Sequence, residues 1–309
     1  MSRRWSLLGL VVLVLALVTA ACGGSKEKGP IVVGSKIDTE GALLSQMIIL
    51  MLRDAGFAVE DRSEFGPTQV TRKALLSGEL HIYPEYTGNG AFFYDEADSP
   101  VWKDAKRGYE RVKQLSMERD RLVWLEPAPA NNTWAIAIPR ALSEREGITS
   151  LESFARYVNA GGTVKLAGSE EFVTSPAALP SFQEAYGFEL RRDQLLTLSG
   201  GNTAQTESAA ARGTDGVNAT MAYGTDGSLS ALDLVVLSDP KGAQPVYEPA
   251  PLARQEIIEK YPEIADRLNP VFRSLDLETL QALNAKIALE GQSAPAVAEE
   301  YLKANGFLD

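Results

Sequence analysis

The sequence predicts a two-lobed α/β fold, and three observations support this. About 280 residues follow a short N-terminal leader, which is more than one small hydrophobic core accommodates. Predicted strands and helices alternate from Ile31 onward in units of roughly 20–30 residues, as in a parallel α/β sheet. A second block of such units interrupts the first, so that one strand enters the block and one leaves it. We therefore expect residues 31–133 and 240–309 to form lobe I and residues 134–239 to form lobe II. The pattern alone also fits many α/β enzymes.

The N-terminal residues have the layout of a secretory leader. Arg3 and Arg4 precede an apolar run over residues 7–18, which is too short to span a bilayer core of about 30 Å. Cys22 follows Thr19-Ala20-Ala21, where a lipoprotein signal peptidase would cut, although such sites usually have leucine in place of Thr19. We expect a signal peptide over residues 1–21, lipidation of Cys22 and a flexible tether over residues 22–30. An ordinary cleavage site with an incidental cysteine is the alternative.

The elements of lobe I follow from apolar patterning and turn residues. Asp38 or Thr39 caps a helix that ends at Gly56, and its apolar face carries Leu43, Leu44, Met47, Ile48 and Met51. Thr68 caps the next helix, and a charged helix covers residues 104–119. The predicted strands are residues 31–33, 58–62, 81–83 and 122–125.

The remaining elements belong to lobe II and to a helical tail. Strands are predicted at residues 134–138, 163–167, 217–223 and 234–237. Helices are predicted at residues 150–160 and 181–186. From about Glu256 the pattern is helical, and the pieces are residues 256–268, 277–289 and 295–305.

The composition argues against several functions. The net charge is -11, so nucleic acids and anionic membrane surfaces are unsuitable partners. His81 is the only histidine and Cys22 the only cysteine, which leaves little for nucleophilic catalysis or a zinc site. No phosphate-binding or dinucleotide motif occurs. The pair Glu170-Glu171 would suit a glycosidase, but a solvated surface is the simpler interpretation. We therefore expect a binding protein without a cofactor.

Three segments together resemble a known family. They are Val33-Gly34-Ser35-Lys36 with Thr39-Glu40, Ile82-Tyr83-Pro84-Glu85-Tyr86-Thr87-Gly88-Asn89-Gly90, and Tyr223-Gly224-Thr225-Asp226-Gly227 with residues 234–237 and Tyr247. In this order they resemble the glycine betaine/carnitine/choline-binding proteins of ABC importers, of the ProX and OpuBC/OpuCC type. The second segment, followed by Ala91-Phe92-Phe93, is most similar to the OsmF (YehZ) branch. The resemblance covers residues 31–307.

The resemblance implies a type II periplasmic-binding fold, with two crossover strands and the solute in the cleft between the lobes. It also implies a box of aromatic rings around the trimethylammonium group of the solute. Carried over position by position, the rings are those of Tyr86, Trp134, Tyr223 and Tyr247, and the backbone carbonyl of Asn132 also faces the cation. Trp134 stands where the family usually has tyrosine.

Physical chemistry favours rings for such a solute. A quaternary ammonium has no N–H, so hydrogen bonds cannot hold it, whereas each aromatic face contributes roughly 0.5–2 kcal/mol. Four rings therefore give useful affinity without a buried carboxylate, whose desolvation would be unfavourable.

The carboxylate end of a betaine is matched less well. The family uses a lysine, a threonine and an arginine there. In this sequence Lys36 keeps the lysine, Asn89 replaces the threonine and Ser175 replaces the arginine. Because serine cannot supply a bidentate charged contact, we expect weak binding of glycine betaine, or a preference for a hydroxylated solute such as choline.

The resemblance implies a monomer that is tethered outside the cytoplasmic membrane or in the periplasm. Its partners would be the small solute, an ABC permease with its ATPase, and the membrane through the lipid anchor. Three alternatives stay open: another cationic or zwitterionic solute, an enzyme on the same scaffold, and an adaptor that binds protein.

Overall fold

The protein is built on two five-stranded mixed sheets. A computed structural model describes residues 28–199 and 203–309. The predicted signal peptide, Cys22 and residues 22–27 of the tether lie outside the described residues. In chain order the strands are β1 (Lys28–Lys36), β2 (Phe57–Gly66), β3 (Ile82–Tyr86), β4 (Leu122–Trp124), β5 (Trp134–Pro139), β6 (Leu166–Ser169), β7 (Leu195–Leu198), β8 (Ala219–Tyr223), β9 (Leu234–Val236) and β10 (Pro249–Arg254).

Helices flank both sheets. They are α1 (Thr39–Asp54), α2 (Thr68–Ser77), α3 (Gly90–Phe93), α4 (Ala105–Asp120), α5 (Arg140–Glu146), α6 (Leu151–Asn159), α7 (Glu170–Thr174), α8 (Leu179–Tyr186), α9 (Thr203–Arg212), α10 (Ser228–Ala231), α11 (Gln255–Lys260), α12 (Glu263–Arg273), α13 (Leu277–Ala288) and α14 (Ala294–Ala304). Short 3-10 turns cover Thr87–Asn89, Pro100–Lys103, Arg192–Gln194 and Thr214–Gly216. Among the described residues, no helix is both long and apolar enough to cross a membrane.

The two sheets repeat one pattern. The order is β2-β1-β3-β10-β4 in the first sheet and β7-β6-β8-β5-β9 in the second. In each, three parallel strands are followed by one antiparallel strand, which is β10 in the first and β5 in the second. We call the half built on the first sheet lobe I and the half built on the second lobe II. Their exact boundaries, placed after residues 133 and 239 by the sequence, stay a prediction.

The chain crosses between the lobes twice. The crossing segments, residues 125–133 and 237–248, run side by side, and the Asn132 amide donates to the Tyr247 carbonyl at 2.9 Å. The backbone amide of Tyr247 in turn donates to Asn131 Oδ1 at 2.8 Å. Prolines in both segments lack an N–H donor, which accounts for extended chain without a regular strand.

Helix α1 is the centre of the lobe I core. The five apolar residues predicted for its buried face are all buried, and so are Ile49 and Leu52 on its other side. The reason is that the helical tail, through α12, α13 and α14, covers the face of α1 turned away from the sheet. Asp38 is the cap, because its carboxylate accepts the N–H of Gly41 at 2.6 Å.

Several element boundaries differ from the sequence prediction. Strand β1 begins at Lys28, so the last three residues of the expected tether lie in the sheet. The helix predicted over residues 256–268 is divided into α11 and α12, because Pro262 cannot continue a helix. Thr68 is the first residue of α2 and does not cap it, since Pro67 holds the cap position.

The expected strand at His81 begins one residue later and extends further. His81 lies just before β3, and its Nδ1 accepts the N–H of Val32 at 3.1 Å. Two strands, β7 and β10, and five helices were not predicted; the helices are α3, α5, α7, α9 and α10. Strand β10 contains Pro249 and Pro251, which argue against a central strand, yet their carbonyls still accept bonds from Ala128 and Leu125.

Candidate functional site

A cavity of about 660 Å³ is lined by residues of both lobes. Its size is within the usual range for small-molecule pockets, roughly 300–1,000 Å³. All eight residues that the sequence analysis singled out for solute binding line it: Lys36, Tyr86, Asn89, Asn132, Trp134, Ser175, Tyr223 and Tyr247. The structure thus brings the predicted set together in one place. Their role as solute ligands stays a prediction.

Strand ends place the aromatic rings. Tyr86 ends β3 and Tyr223 ends β8, while Trp134 begins β5, directly opposite Tyr223 in the sheet register. The rings of Trp134 and Tyr223 are 6.3 Å apart between centroids and tilted by 45°. Phe172 supports Trp134 from behind with an edge-to-face contact at 5.7 Å. Tyr247 comes from the second crossing segment. Like Trp134 and Tyr223, it is partly exposed.

A glycine explains how Tyr247 approaches the Tyr-Thr-Gly turn. A Cβ at Gly88 would lie 2.8 Å from the Tyr247 ring and 2.8 Å from the carbonyl oxygen of Val246. Only glycine therefore allows the second crossing segment to pack on this turn. The motif that carries the resemblance is thus required for packing as well as for the cavity.

Tyr86 differs from the other rings. It is only 5% exposed, and its hydroxyl donates to Glu40 Oε1 at 2.9 Å. The Lys36 ammonium lies over its ring, 4.2 Å from the centroid. One face of Tyr86 is therefore occupied by a cation of the protein itself, so Tyr86 has less ring surface available for a solute than the other three.

Lys36 and Glu85 form a buried ion pair under the cavity. Their Nζ and Oε1 atoms are 2.9 Å apart, and Glu85 is fully buried. Glu85 also accepts bonds from the Tyr83 hydroxyl, the Tyr86 amide and the Asn89 side chain. Burial alone would raise the pKa of Glu85, but Lys36 and these hydrogen bonds hold that pKa below its ordinary value.

This pair bears directly on the predicted contacts for a solute carboxylate. Lys36 and the Asn89 amide, at 2.9 and 2.8 Å, already bind Glu85. The hydroxyl of Ser175 is neutral and accepts the N–H of Ala177 at 3.3 Å. None of the three thus presents an uncompensated positive charge to the cavity.

Carboxylates are the residues that the sequence analysis missed. Asp38, Glu40, Glu171 and Asp226 all line the cavity. The expectation of a site without buried carboxylates was therefore wrong, because Glu40 is buried beside Tyr86. Glu171 is exposed, as expected for a solvated surface, but that surface is the cavity wall. Burial raises the pKa of Asp38 above its ordinary value.

Glu40 lies where the two lobes and the first crossing segment meet. One carboxylate oxygen accepts from Tyr86 and, at 3.0 Å, from the side-chain amide of Asn132. The other accepts from the Asn284 side chain at 2.8 Å. Thr225, in lobe II, also donates its hydroxyl to this carboxylate. Burial raises the pKa of Glu40 to about 7, although the hydrogen bonds from Thr225, Asn284 and Tyr86 oppose the shift.

A second carboxyl, that of the partly buried Asp226, supports the loop after β8. Asp226 accepts the amide N–H of Tyr223 at 2.6 Å, which fixes the turn that carries this ring. Glu207 lies behind Asp226, is fully buried and accepts from the Ser228 hydroxyl. Burial and the neighbouring Asp226 raise the pKa of Glu207 to about 9. Glu207 therefore keeps its proton at neutral pH and shares it with Asp226.

The lining combines aromatic rings with acidic side chains. Among residues 28–199 and 203–309, no group of three or more His, Cys, Asp or Glu side chains is placed to hold a metal ion. What the cavity offers is partly exposed aromatic surface from both lobes and an excess of negative charge. Such a lining favours a cation that carries apolar groups.

A family profile identifies the chain. The profile described as the substrate binding domain of the ABC-type glycine betaine transport system matches residues 29–304. The chain belongs to this family. It is therefore the substrate-binding protein of a glycine betaine-type ABC transporter, and the family consists of binding domains and not of enzymes.

Individual relatives agree with the family assignment. The chain is 52% identical over 293 residues to the glycine betaine-binding protein YehZ of Escherichia coli, covering 95% of this chain and 96% of YehZ. It is 33% identical over 303 residues to a glycine-betaine-binding protein of Pseudomonas aeruginosa, covering 96% and 94% of the two chains. The predicted similarity to the OsmF (YehZ) branch is confirmed.

Solved structures confirm the predicted fold. Apo YehZ of Escherichia coli aligns with a TM-score of 0.72 at 54% identity, over 91% of this chain and all of that one (100%). A glycine betaine/carnitine/choline ABC transporter structure aligns with a TM-score of 0.74 over 90% and 100% of the two chains, at 19% identity. The second likeness supports the fold alone. The protein has the two-lobed type II periplasmic-binding fold.

Proposed function

We propose that the protein captures a quaternary-ammonium solute, such as choline or glycine betaine, in the cavity between its lobes and delivers it to the permease of an ABC importer. The observation that carries this proposal is the convergence of Trp134, Tyr223 and Tyr247, with part of Tyr86, on one cavity. Rings from both lobes would enclose the trimethylammonium group, each contributing roughly 0.5–2 kcal/mol. The names of the YehZ and Pseudomonas relatives support glycine betaine as a solute class.

The charge of the cavity favours a cation over a zwitterion. The lining contains four carboxylates, and its one cationic residue, Lys36, is paired with Glu85. A solute carboxylate would have to displace Glu85 from Lys36 and approach Asp38 and Glu40. We therefore expect choline to bind more tightly than glycine betaine, and glycine betaine to bind weakly.

The lobes would close on the solute by a hinge motion. The hinge would lie in the crossing segments, near Trp134 and Leu237, where the chain passes between the sheets. The closed form would dock on the permease, whose ATPase supplies the energy. The protein would act as a monomer, and the solute would leave it chemically unchanged.

The cellular setting follows from the N-terminal residues. Cleavage before Cys22 and its lipidation would tether the protein to the membrane, outside the cytoplasm or in the periplasm. The uptake of osmoprotectants would be its physiological role.

A different cationic solute is the second candidate, because rings and carboxylates recognise only the cationic end of a ligand.

Calorimetric titration of the purified protein tests the proposal. Choline should bind, and Trp134→Ala should weaken binding roughly tenfold to thirtyfold, because one ring and its packing are lost. Trp134→Phe should recover most of the affinity. Tyr109→Ala, a partly buried ring of α4 outside the cavity, is the matched control and should bind as the wild type does. Unchanged affinity in Trp134→Ala, or tight binding of glycine betaine with none of choline, would contradict the proposal.

A further inference from the structure

Glu40 is a buried carboxyl group without a cationic partner. It is 5% exposed, and its four partners, Tyr86, Asn132, Asn284 and Thr225, are all neutral donors. Among the described residues, the ion pair of this region joins Lys36 to Glu85 and leaves Glu40 out. A carboxylate in such a place lacks compensation for its lost hydration until a cation arrives.

The position of Glu40 connects it to both halves of the ring set. Tyr86 belongs to β3 of lobe I, Asn284 to α13 of the tail, and Thr225 to the lobe II loop that directly follows Tyr223 at the end of β8. Asn284 bonds the Thr225 carbonyl as well, at 3.1 Å. Glu40 lines the cavity at this junction, so a cation in the cavity acts on it directly.

We propose that solute binding is coupled to proton release through Glu40. The inference rests on the proposed function, because it needs a cationic solute in this cavity. In the empty protein near neutral pH, Glu40 is partly protonated. A bound quaternary ammonium stabilises the carboxylate, so its proton passes to the solvent and the carboxylate accepts all four hydrogen bonds. Glu40 thereby holds the two sets of rings together most firmly when the solute is present.

Other titratable and charged groups lie around Glu40. Asp38 lies at the same end of α1 and raises the pKa of Glu40, while Tyr86 donates from β3. From the lobe II loop, Asp226 shares the proton of Glu207, whose pKa of about 9 keeps it protonated below pH 8. Lys36 and Glu85 neutralise each other, and the exposed Glu171 completes the charged lining.

The direction of the pH effect follows from the sign of the linkage. Since the empty protein binds the proton more tightly than the complex does, raising the pH favours the complex. With the pKa of Glu40 near 7, choline affinity should rise about tenfold between pH 6 and pH 8 and then level off. At pH 7 about half a proton should be released for each choline bound.

The experiment is calorimetric titration of choline at pH 7 in phosphate and in ACES, two buffers of different ionisation enthalpy. The difference between the two measured binding enthalpies, divided by the difference between the two buffer ionisation enthalpies, gives the number of protons released for each choline bound. The wild type should release about half a proton. Glu40→Gln should release none and should lose the rise in affinity with pH. His81→Asn is the control. It removes the only histidine of the chain, which lies outside the cavity, and should behave as the wild type does.

Thr225→Val provides a second variant, because it removes one donor to the Glu40 carboxylate and keeps the side-chain shape. Its affinity midpoint should move to higher pH. Choline binding without proton release in the wild type, or release that persists in Glu40→Gln, would overturn the inference and leave the proposed function intact. If no quaternary amine binds at all, the proposed function is wrong and the inference falls with it.

Discussion

The two sides of the cavity are held in place by different forces. On the lobe I side, Lys36, Glu85, Tyr86 and Glu40 form one buried network of an ion pair and hydrogen bonds. On the lobe II side, Trp134 and Tyr223 are held mainly by ring packing and stay partly exposed. The lobe I side is thus pre-organised and sensitive to charge, whereas the lobe II side supplies most of the accessible ring surface.

The largest expected effect comes from breaking the lobe I network. Glu85→Ala would leave Lys36 buried without its counter-ion and would remove the acceptor of Tyr83 and Asn89. Loss of one member of a buried pair lowers the free energy of unfolding by about 3–5 kcal/mol. Urea unfolding of the purified protein measures this.

The matched control for Glu85→Ala is an exposed ion pair of the same lobe. Arg62 and Glu60 bond on the surface of β2, with both side chains about half exposed. Arg62→Ala should change the free energy of unfolding by less than about 1 kcal/mol. Equal effects of the two substitutions would mean that the buried network does not hold the lobe I side in place.

A smaller effect is expected where the lobe II loop rests on the tail. A Cβ at Gly227 would lie 2.5 Å from the backbone nitrogen of Ala285 in α13. Gly227→Ala should therefore displace the loop that follows Tyr223, destabilise the fold by about 1–3 kcal/mol and weaken choline binding. Thermal unfolding together with choline titration measures both.

Gly108 in α4 is the matching position without crowding. An added Cβ there meets nothing closer than 3.5 Å, from the carbonyl oxygen of Val101, so Gly108→Ala should be neutral or slightly stabilising. If Gly227→Ala binds choline as the wild type does, the contact between loop and tail does not position Tyr223.

The smallest effect concerns His81, which lies in lobe I away from the cavity. Burial, and then Arg254, lower the pKa of His81 below its ordinary value of 6.5. The unfolded chain therefore binds a proton more readily, so this residue's contribution to stability falls as the pH drops through 6.5 towards the folded-state pKa. Protonation also removes the acceptor of the Val32 amide.

Denaturant unfolding between pH 5 and pH 7 measures this effect. The wild type should lose stability on acidification relative to His81→Asn, because the asparagine oxygen can accept the same bond without titrating. A parallel pH dependence in the two proteins would show that His81 does not contribute.

The sequence was enough to predict the fold and the four rings that line the cavity, but not the acidic lining. Alternating strands and helices predicted the two-sheet organisation, and the Tyr-Pro-Glu-Tyr-Thr-Gly segment marked Tyr86 by resemblance. The environment of Glu40 depends on Asn132 and Asn284, which are 92 and 244 residues away in the chain. No local pattern carries that information.

The same reason explains why Lys36 was expected to meet the solute. Lysine after the first strand fits a family contact, but its partner Glu85 lies 49 residues further along the chain. Only the parallel arrangement of β1 and β3 brings the two together. Strand β10 was missed for a different reason, since its prolines contradict the usual pattern of a central strand.

The most direct test of the account is a crystal structure of the choline complex. The account predicts the choline nitrogen within about 6 Å of the ring centroids of Trp134, Tyr223 and Tyr247, with no carboxylate displaced from Lys36. Choline bound outside this cavity, or held in it by carboxylates alone with the three rings turned away, would contradict it.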